Sequence, residues 1–132
     1  MKALSFDVLR AANLQRLPLF KNARGERAHA SEDGSDWSRA DWLEAATGEL
    51  GEYANISKKF RRGDINEVEF KEAARKELAD VVTYLDILAY RLGINLGDAI
   101  REKFNSVSNR VGVAIYISDA NEIVRDSFLV RE

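Results

Sequence analysis

The stretch SRADWLEAATGELGEYANISKKFRRG, residues 38–63, decides the fold class. At the helical angle of about 100° per residue it gathers Trp42, Ala46, Leu50, Tyr53 and Phe60 on one face. Glu44, Asn55, Lys58 and Arg62 fall on the opposite, wet side. Ser35, Asp36 or Ser38 can cap the start, and Asp41 suits the positive end of the helix dipole. Gly63 stands where a helix end favours a left-handed residue. Two carboxylates escape this division. Glu49 and Glu52 sit on the shoulder of the apolar face, about 60° apart and flanking Ile56. Like charges at that spacing repel, so helix stability alone does not call for them.

Working outward, a first helix is expected from about Ser5 to Leu17, closed by Pro18. The segment from Pro18 to Asp36 has no periodicity and reads as a loop, long enough to be functional. A third helix is expected over Glu67 to Leu92, stopped by Gly93, and a fourth from Leu96 to about Val111, capped by Asn95 and closed by Gly112. In GVAIYIS, residues 112–118, Val113, Ile115 and Ile117 alternate with Ala114 and Tyr116 at the period of a strand. The final NEIVRDSFLVRE fits a strand or a helix equally. The expectation is an all-α protein: a helical bundle of about four core helices with a short extended C-terminal tail. It forms one domain over residues 1–132, with its core at about 37–112 and its tail at 113–132.

The third helix repeats the anomaly of the second. Leu78, Val81, Val82, Leu85, Leu88, Ala89 and Leu92 form a wide arc expected to be buried, with Arg75, Lys76, Thr83 and Asp86 directed away from it. Glu77 and Asp80, again three apart, fall on its shoulder beside Val81, Tyr84 and Leu88. Two antiparallel helices would turn these two carboxylate pairs toward one another. Burying so much like charge without a counter-ion costs several kcal/mol per group. A hard divalent cation removes that cost: Mg²⁺, with Mn²⁺ as a substitute, prefers oxygen ligands and commonly bridges carboxylates to phosphates. One Glu-x-x-Glu is commonplace as a solvated face, but two on the shoulders of adjacent helices are not. A di-iron bundle would need Glu-x-x-His motifs, and the one histidine, His29, lies in the loop.

The totals narrow the choice. The 132 residues carry 20 Lys+Arg against 22 Asp+Glu, a net charge of −2, which argues against a general nucleic-acid or anionic-membrane binder. The basic run KKFRR, residues 58–62, splits around its helix instead of forming one face. Without cysteine there is no disulfide, thiolate site or cysteine nucleophile. No apolar run approaches the roughly 20 residues that span a bilayer, and MKALSFDVLRAANLQR is broken by Asp7 and Arg10 too early for a signal peptide. A soluble cytoplasmic protein is expected.

The ordered set WSRADW, GELGE, KKFRRGD, ELADVVTYLDILAYRLGINL and EKFNSVSNR resembles the core of the MazG-like all-α nucleoside triphosphate pyrophosphohydrolases. That superfamily includes dimeric dUTPases and dCTP pyrophosphatases. The likeness covers roughly Trp37 to Gly112. It implies Mg²⁺-dependent hydrolysis of a nucleoside triphosphate between the α and β phosphates, giving a nucleoside monophosphate and pyrophosphate. It further implies that Glu49, Glu52, Glu77 and Asp80 are the metal ligands and catalytic carboxylates. Tyr84 would approach the nucleoside, and Lys103 and Arg110 the phosphates. Trp37 and Trp42 would lie where relatives contact base or sugar, Trp37 ahead of the helix as the stacking candidate and Trp42 on the core stripe. An asparagine commonly precedes the last-helix arginine; Asn105 and Asn109 both qualify, and Asn105 is the substrate-binding candidate. Gly48 before Glu49 departs from the paired glutamates of many members and matches the dCTP-pyrophosphatase-like version. Lys59, beside Glu52 on the helical wheel, can neutralise the pyrophosphate leaving group or pair with Glu52.

Two other readings stand beside the enzyme: a helical module binding nucleotides or nucleic acid through KKFRRG without turnover, and a structural interaction bundle. The wide apolar arc of the third helix exceeds what one small bundle covers, so a homodimer or homotetramer is expected.

Overall fold

The computed structural model describes residues 1–29, 31, 33 and 35–125. Its described residues are all-α apart from one minimal hairpin. Helix α1 is Phe6–Arg16, followed by a 3-10 turn over Leu17–Leu19 that contains Pro18. Helix α2 is Arg39–Arg61, α3 is Glu67–Arg91 and α4 is Leu96–Val111. The chain forms two compact units, Met1–Gly93 and Ile94–Glu132.

Local chemistry explains the helix ends. Ser38 and Asp41 form a capping box on α2: the Ser38 amide donates to Asp41 Oδ2 at 2.7 Å, and the Asp41 amide donates to Ser38 Oγ at 3.3 Å. Asn66 and Glu69 do the same for α3. Asn95 Oδ1 accepts the Asp98 amide at 3.0 Å to start α4. Gly112 closes α4 at φ 70°, a left-handed conformation that costs other residues free energy.

In the first unit, α2 and α3 run antiparallel along a shared seam. Phe60 stacks on Phe70 with ring centres 4.7 Å apart, Tyr53 reaches Phe70 at 6.2 Å and Trp42 reaches Tyr84 at 6.1 Å. As the number on α2 falls, its partner on α3 rises. The seam positions alternate by four and three residues: Trp42, Ala46, Glu49, Tyr53, Ile56 and Phe60 against Phe70, Ala74, Glu77, Val81, Tyr84 and Leu88. Leu17, Trp42 and Ile87 form the buried centre, with Phe20, Trp37, Tyr84 and Leu88 packed on it.

The expected apolar arcs need correction. On α2, Leu50 is exposed. On α3, Leu78 is 49% exposed, and Val82, Leu85 and Leu92 are also exposed. Asp86, expected to face away from the core, is 1% exposed. The reason is α1, which packs on α3 from a second side. Arg10 Nε donates to Asp86 Oδ1 at 3.1 Å and Oδ2 at 3.2 Å, while Asn13 Nδ2 donates to Oδ2 at 2.9 Å. These bonds hold the Asp86 face inward against α1, and the stripe of Leu78, Val82, Leu85 and Leu92 beside it is left exposed.

In the second unit, the tail folds as a hairpin. Strand β1, Tyr116–Ile117, pairs antiparallel with β2, Ile123–Val124. The alternation is the inverse of the simplest expectation: Tyr116 is buried, whereas Val113 and Ile115 are exposed. Helix α4 sets this choice. Asn105 Nδ2 donates to the Ile117 carbonyl at 2.9 Å, its Oδ1 accepts the Ile117 amide at 2.8 Å, and the Tyr116 hydroxyl donates to Asn109 Oδ1 at 3.4 Å. Residues 126–132, where strand and helix were equally expected, lie outside the described residues.

Candidate functional site

The α2–α3 seam carries two acids at positions that apolar side chains would otherwise fill. Glu49 follows Ala46 on α2, and Glu77 follows Ala74 on α3; both glutamates are half-buried. Asp80, one turn beyond Glu77, is exposed at the rim. One carboxylate oxygen from each of Glu49, Glu77 and Asp80 lies within 4.8 Å of the others. The sequence-expected quartet therefore converges as a triad. Glu52 is exposed and stands outside that group, yet its charge still acts on Glu49.

The electrostatics follow from this crowding. A hydrogen bond with Glu77 raises the pKa of Glu49, and burial and the charges of Glu77, Asp80 and Glu52 add to the effect. The donor set fits a hard divalent ion: three oxygen-bearing acids gathered within 4.8 Å, with Asp80 at an exposed rim. Among the described residues, none of these acids forms an ion pair with a lysine or arginine.

Beside the triad runs a row of rings. Tyr84 is half-buried, and its pKa is raised chiefly by burial and then by the charges of Glu49 and Asp80, with Arg16 opposing. From Tyr84 the row continues to Trp42 at 6.1 Å, Trp37 at 4.7 Å from Trp42, and His29 at 4.3 Å from Trp37. Trp42 is core, whereas Trp37 is half-buried between Trp42 and His29. Trp42 Nε1 and His29 Nδ1 are shut off from solvent without hydrogen-bond partners. Flat rings next to a polyacidic centre can stack a planar heterocycle.

The loop from Pro18 to Asp36 delivers His29 by its own turn chemistry. Asn22 Oδ1 accepts the amides of Arg24 at 2.9 Å and Glu26 at 3.1 Å, and Gly25 takes φ 77°. The Ala28 amide then returns to the Phe20 carbonyl at 3.1 Å. His29 itself adopts φ 66°, an uncommon conformation for a residue with a side chain. Sequence reasoning missed both His29 and Arg16 as neighbours of the site. A lone histidine in an aperiodic loop, and an arginine in the last turn of α1, carry no spacing signal.

The remaining expected residues have other positions. Lys59 is exposed near the end of α2 and, among the described residues, forms no ion pair with Glu52. Within the second unit, Lys103 and Arg110 are exposed and seven apart on α4. Asn105 has its amide engaged on both sides by the Ile117 main chain, which makes it a structural clamp of the hairpin. No helix of the described residues is long and apolar enough to cross a membrane. Comparison with known proteins gave no matching family model, no similar curated protein and no similar solved structure.

Proposed function

We propose that this protein is a divalent-metal-dependent nucleoside triphosphate pyrophosphohydrolase, converting a nucleoside triphosphate and water into the monophosphate and pyrophosphate. The observation that carries this reading is the triad of Glu49, Glu77 and Asp80, gathered within 4.8 Å on facing helices beside the Tyr84–Trp42–Trp37–His29 row. Glu49, Glu77 and Asp80 would hold Mg²⁺, or Mn²⁺ in its place, with Glu52 at the edge. Mg²⁺ bound there supplies charge neutralisation for the polyphosphate and a nucleophilic water at neutral pH. Glu52 would orient that water and take its proton on a carboxylate oxygen. Trp37 would stack on the base with His29 beside it, and Tyr84, whose pKa the charges of Glu49 and Asp80 help to raise, would meet the sugar. Lys59, exposed on α2, would screen the departing pyrophosphate.

The reading includes a homo-oligomer. Leu78, Val82, Leu85 and Leu92 form a second stripe on α3 that the chain leaves exposed, and Leu43 and Leu50 add apolar surface on α2. Sedimentation should find a dimer or larger assembly, and the pair Val82→Glu with Leu85→Glu should lower its mass.

A panel of dNTPs and NTPs with Mg²⁺, measuring pyrophosphate and monophosphate together, tests the activity. Equal amounts of the two, lost with EDTA, are expected. Inorganic phosphate as the product would refute cleavage between the α and β phosphates. Duplex-DNA binding with a steep salt dependence and no turnover would favour a nucleic-acid module instead.

A further inference from the structure

A cavity opens in the first unit at the C-terminal end of α3, away from the carboxylate triad. Its volume is about 530 Å³, within the range of small-molecule sites, and Leu17, Pro18, Arg27, Asp33, Tyr90 and Arg91 are among its walls. Arg91 lies eleven residues beyond Asp80, roughly 16 Å along the helix, so a phosphate held at the triad cannot also sit on it.

Arg91 is the unusual wall. Its Nε and Nη2 are closed off from solvent and have no hydrogen-bond partner. Its guanidinium carbon lies 5.9 Å from the centre of the Tyr90 ring, an orienting contact that uses none of the N–H donors. Leaving charged donors buried and unpaired is costly, and a guanidinium fork matches two oxygens of an anion. The cavity's own acid does not supply them. Asp33 forms no ion pair among the described residues and accepts the Ser35 amide at 2.9 Å. Arg27 adds a second, exposed cation, likewise without an ion pair among the described residues.

Among the described walls, two arginines against one aspartate suit a dianion better than a monocarboxylate. Leu17, Pro18 and the Tyr90 ring give the remaining wall an apolar character. We infer that this cavity binds a phosphate monoester with an apolar or aromatic body, the phosphate on Arg91 and Arg27 and the body against Leu17, Pro18 and Tyr90. Asp33 can accept a hydroxyl or amino hydrogen from that body. The site is separate from the carboxylate triad and requires no metal.

Isothermal titration of the full chain in EDTA, with inorganic phosphate, phenyl phosphate and acetate at matched ionic strength, tests it. Phenyl phosphate should bind several-fold more tightly than inorganic phosphate, and acetate should give no measurable heat. Arg91→Gln should weaken phenyl phosphate binding about tenfold or more, as loss of a buried charged pair requires. Arg27→Ala, at an exposed position that leaves the fold unchanged, should weaken it several-fold. Glu77→Gln should leave it unaltered. No heat from phenyl phosphate at millimolar concentration, or unchanged binding in both arginine variants, overturns the site. Acetate binding as well as phosphate would overturn the phosphate assignment, and equal binding of the two phosphates would overturn the apolar wall.

Discussion

Asp86 and Glu49 are both carboxylates turned into a helical interface, and their surroundings differ completely. Asp86 is met by a guanidinium and an amide from α1, with Arg10 Nη2 at 3.1 Å from Oδ1 and Asn13 Nδ2 at 2.9 Å from Oδ2. Glu49 meets Glu77 and Asp80. A buried acid that the fold supplies with its own cation is part of the architecture. An acid that the fold surrounds with more acid implies a cation from outside. Burial alone does not separate the two cases; the partners do.

The strongest way to break this comparison is to neutralise one member of each group. Glu77→Gln should lower Mg²⁺-dependent pyrophosphate release at least a thousandfold, about 4 kcal/mol in the barrier, with the circular dichroism spectrum unchanged. Asp86→Ala should act in the other currency, stability. It removes the buried carboxylate that Arg10 and Asn13 both meet and should cost about 3 kcal/mol in a denaturant titration. If Asp86→Ala proved harmless and Glu77→Gln unfolded the chain, the two roles would be reversed.

Glu49→Gln sharpens the contrast. In EDTA it should raise the melting temperature or leave it unchanged, because it removes a charge from a repelling group. The pH dependence follows from the raised pKa of Glu49 in the folded protein. Its protonated form is favoured by folding, so its contribution is fully present at low pH. That contribution is lost as pH rises from the ordinary carboxylate range through the raised value. Metal-free wild-type protein should therefore lose stability across that window, and Glu49→Gln should flatten the slope. Mg²⁺ affinity should run oppositely, strengthening as the proton leaves, with proton release on binding seen by calorimetry in buffers of different ionisation enthalpy.

The smallest effect concerns Asn13. Asn13→Ala removes one neutral donor to Asp86 but leaves Arg10 in place, so about 1 kcal/mol of destabilisation is expected in the same titration. A loss as large as that of Asp86→Ala would mean that the amide, not the guanidinium, holds α1.

Much of this was legible from residues alone. Helix limits were read to within a residue or two because caps and glycines are local signals: Ser38 and Asn95 at two of the starts, Gly63, Gly93 and Gly112 at the ends. The carboxylates were legible because a charge on an apolar shoulder violates a periodic pattern. The side of α3 that α1 covers was not legible. That choice rests on Arg10 and Asn13, more than seventy positions from Asp86 in sequence. The row of rings was half visible: Trp37, Trp42 and Tyr84 stood near the motifs, but His29 arrives through a turn set by Asn22 and Gly25. Tyr116 was misjudged because period-two alternation marks two faces without saying which one a neighbour will cover. Asn105 looked like a ligand-binding amide until the hairpin's main chain was seen to occupy it.

The alternation of four and three residues along α2 and α3 governs where the chain tolerates changes in length. One residue inserted between Trp42 and Glu49 would swing everything before it by about 100°, separating the ring row from the acids. An insertion between Glu77 and Tyr84 would do the same from the other side. Length can change at the far end, where Phe60 stacks on Phe70 ahead of the turn. One extra heptad on each helix there would extend the hairpin while every seam contact below it kept its partner. Deletions and insertions in diverged versions of this chain should therefore cluster around residues 61–66 and avoid residues 42–53 and 77–88.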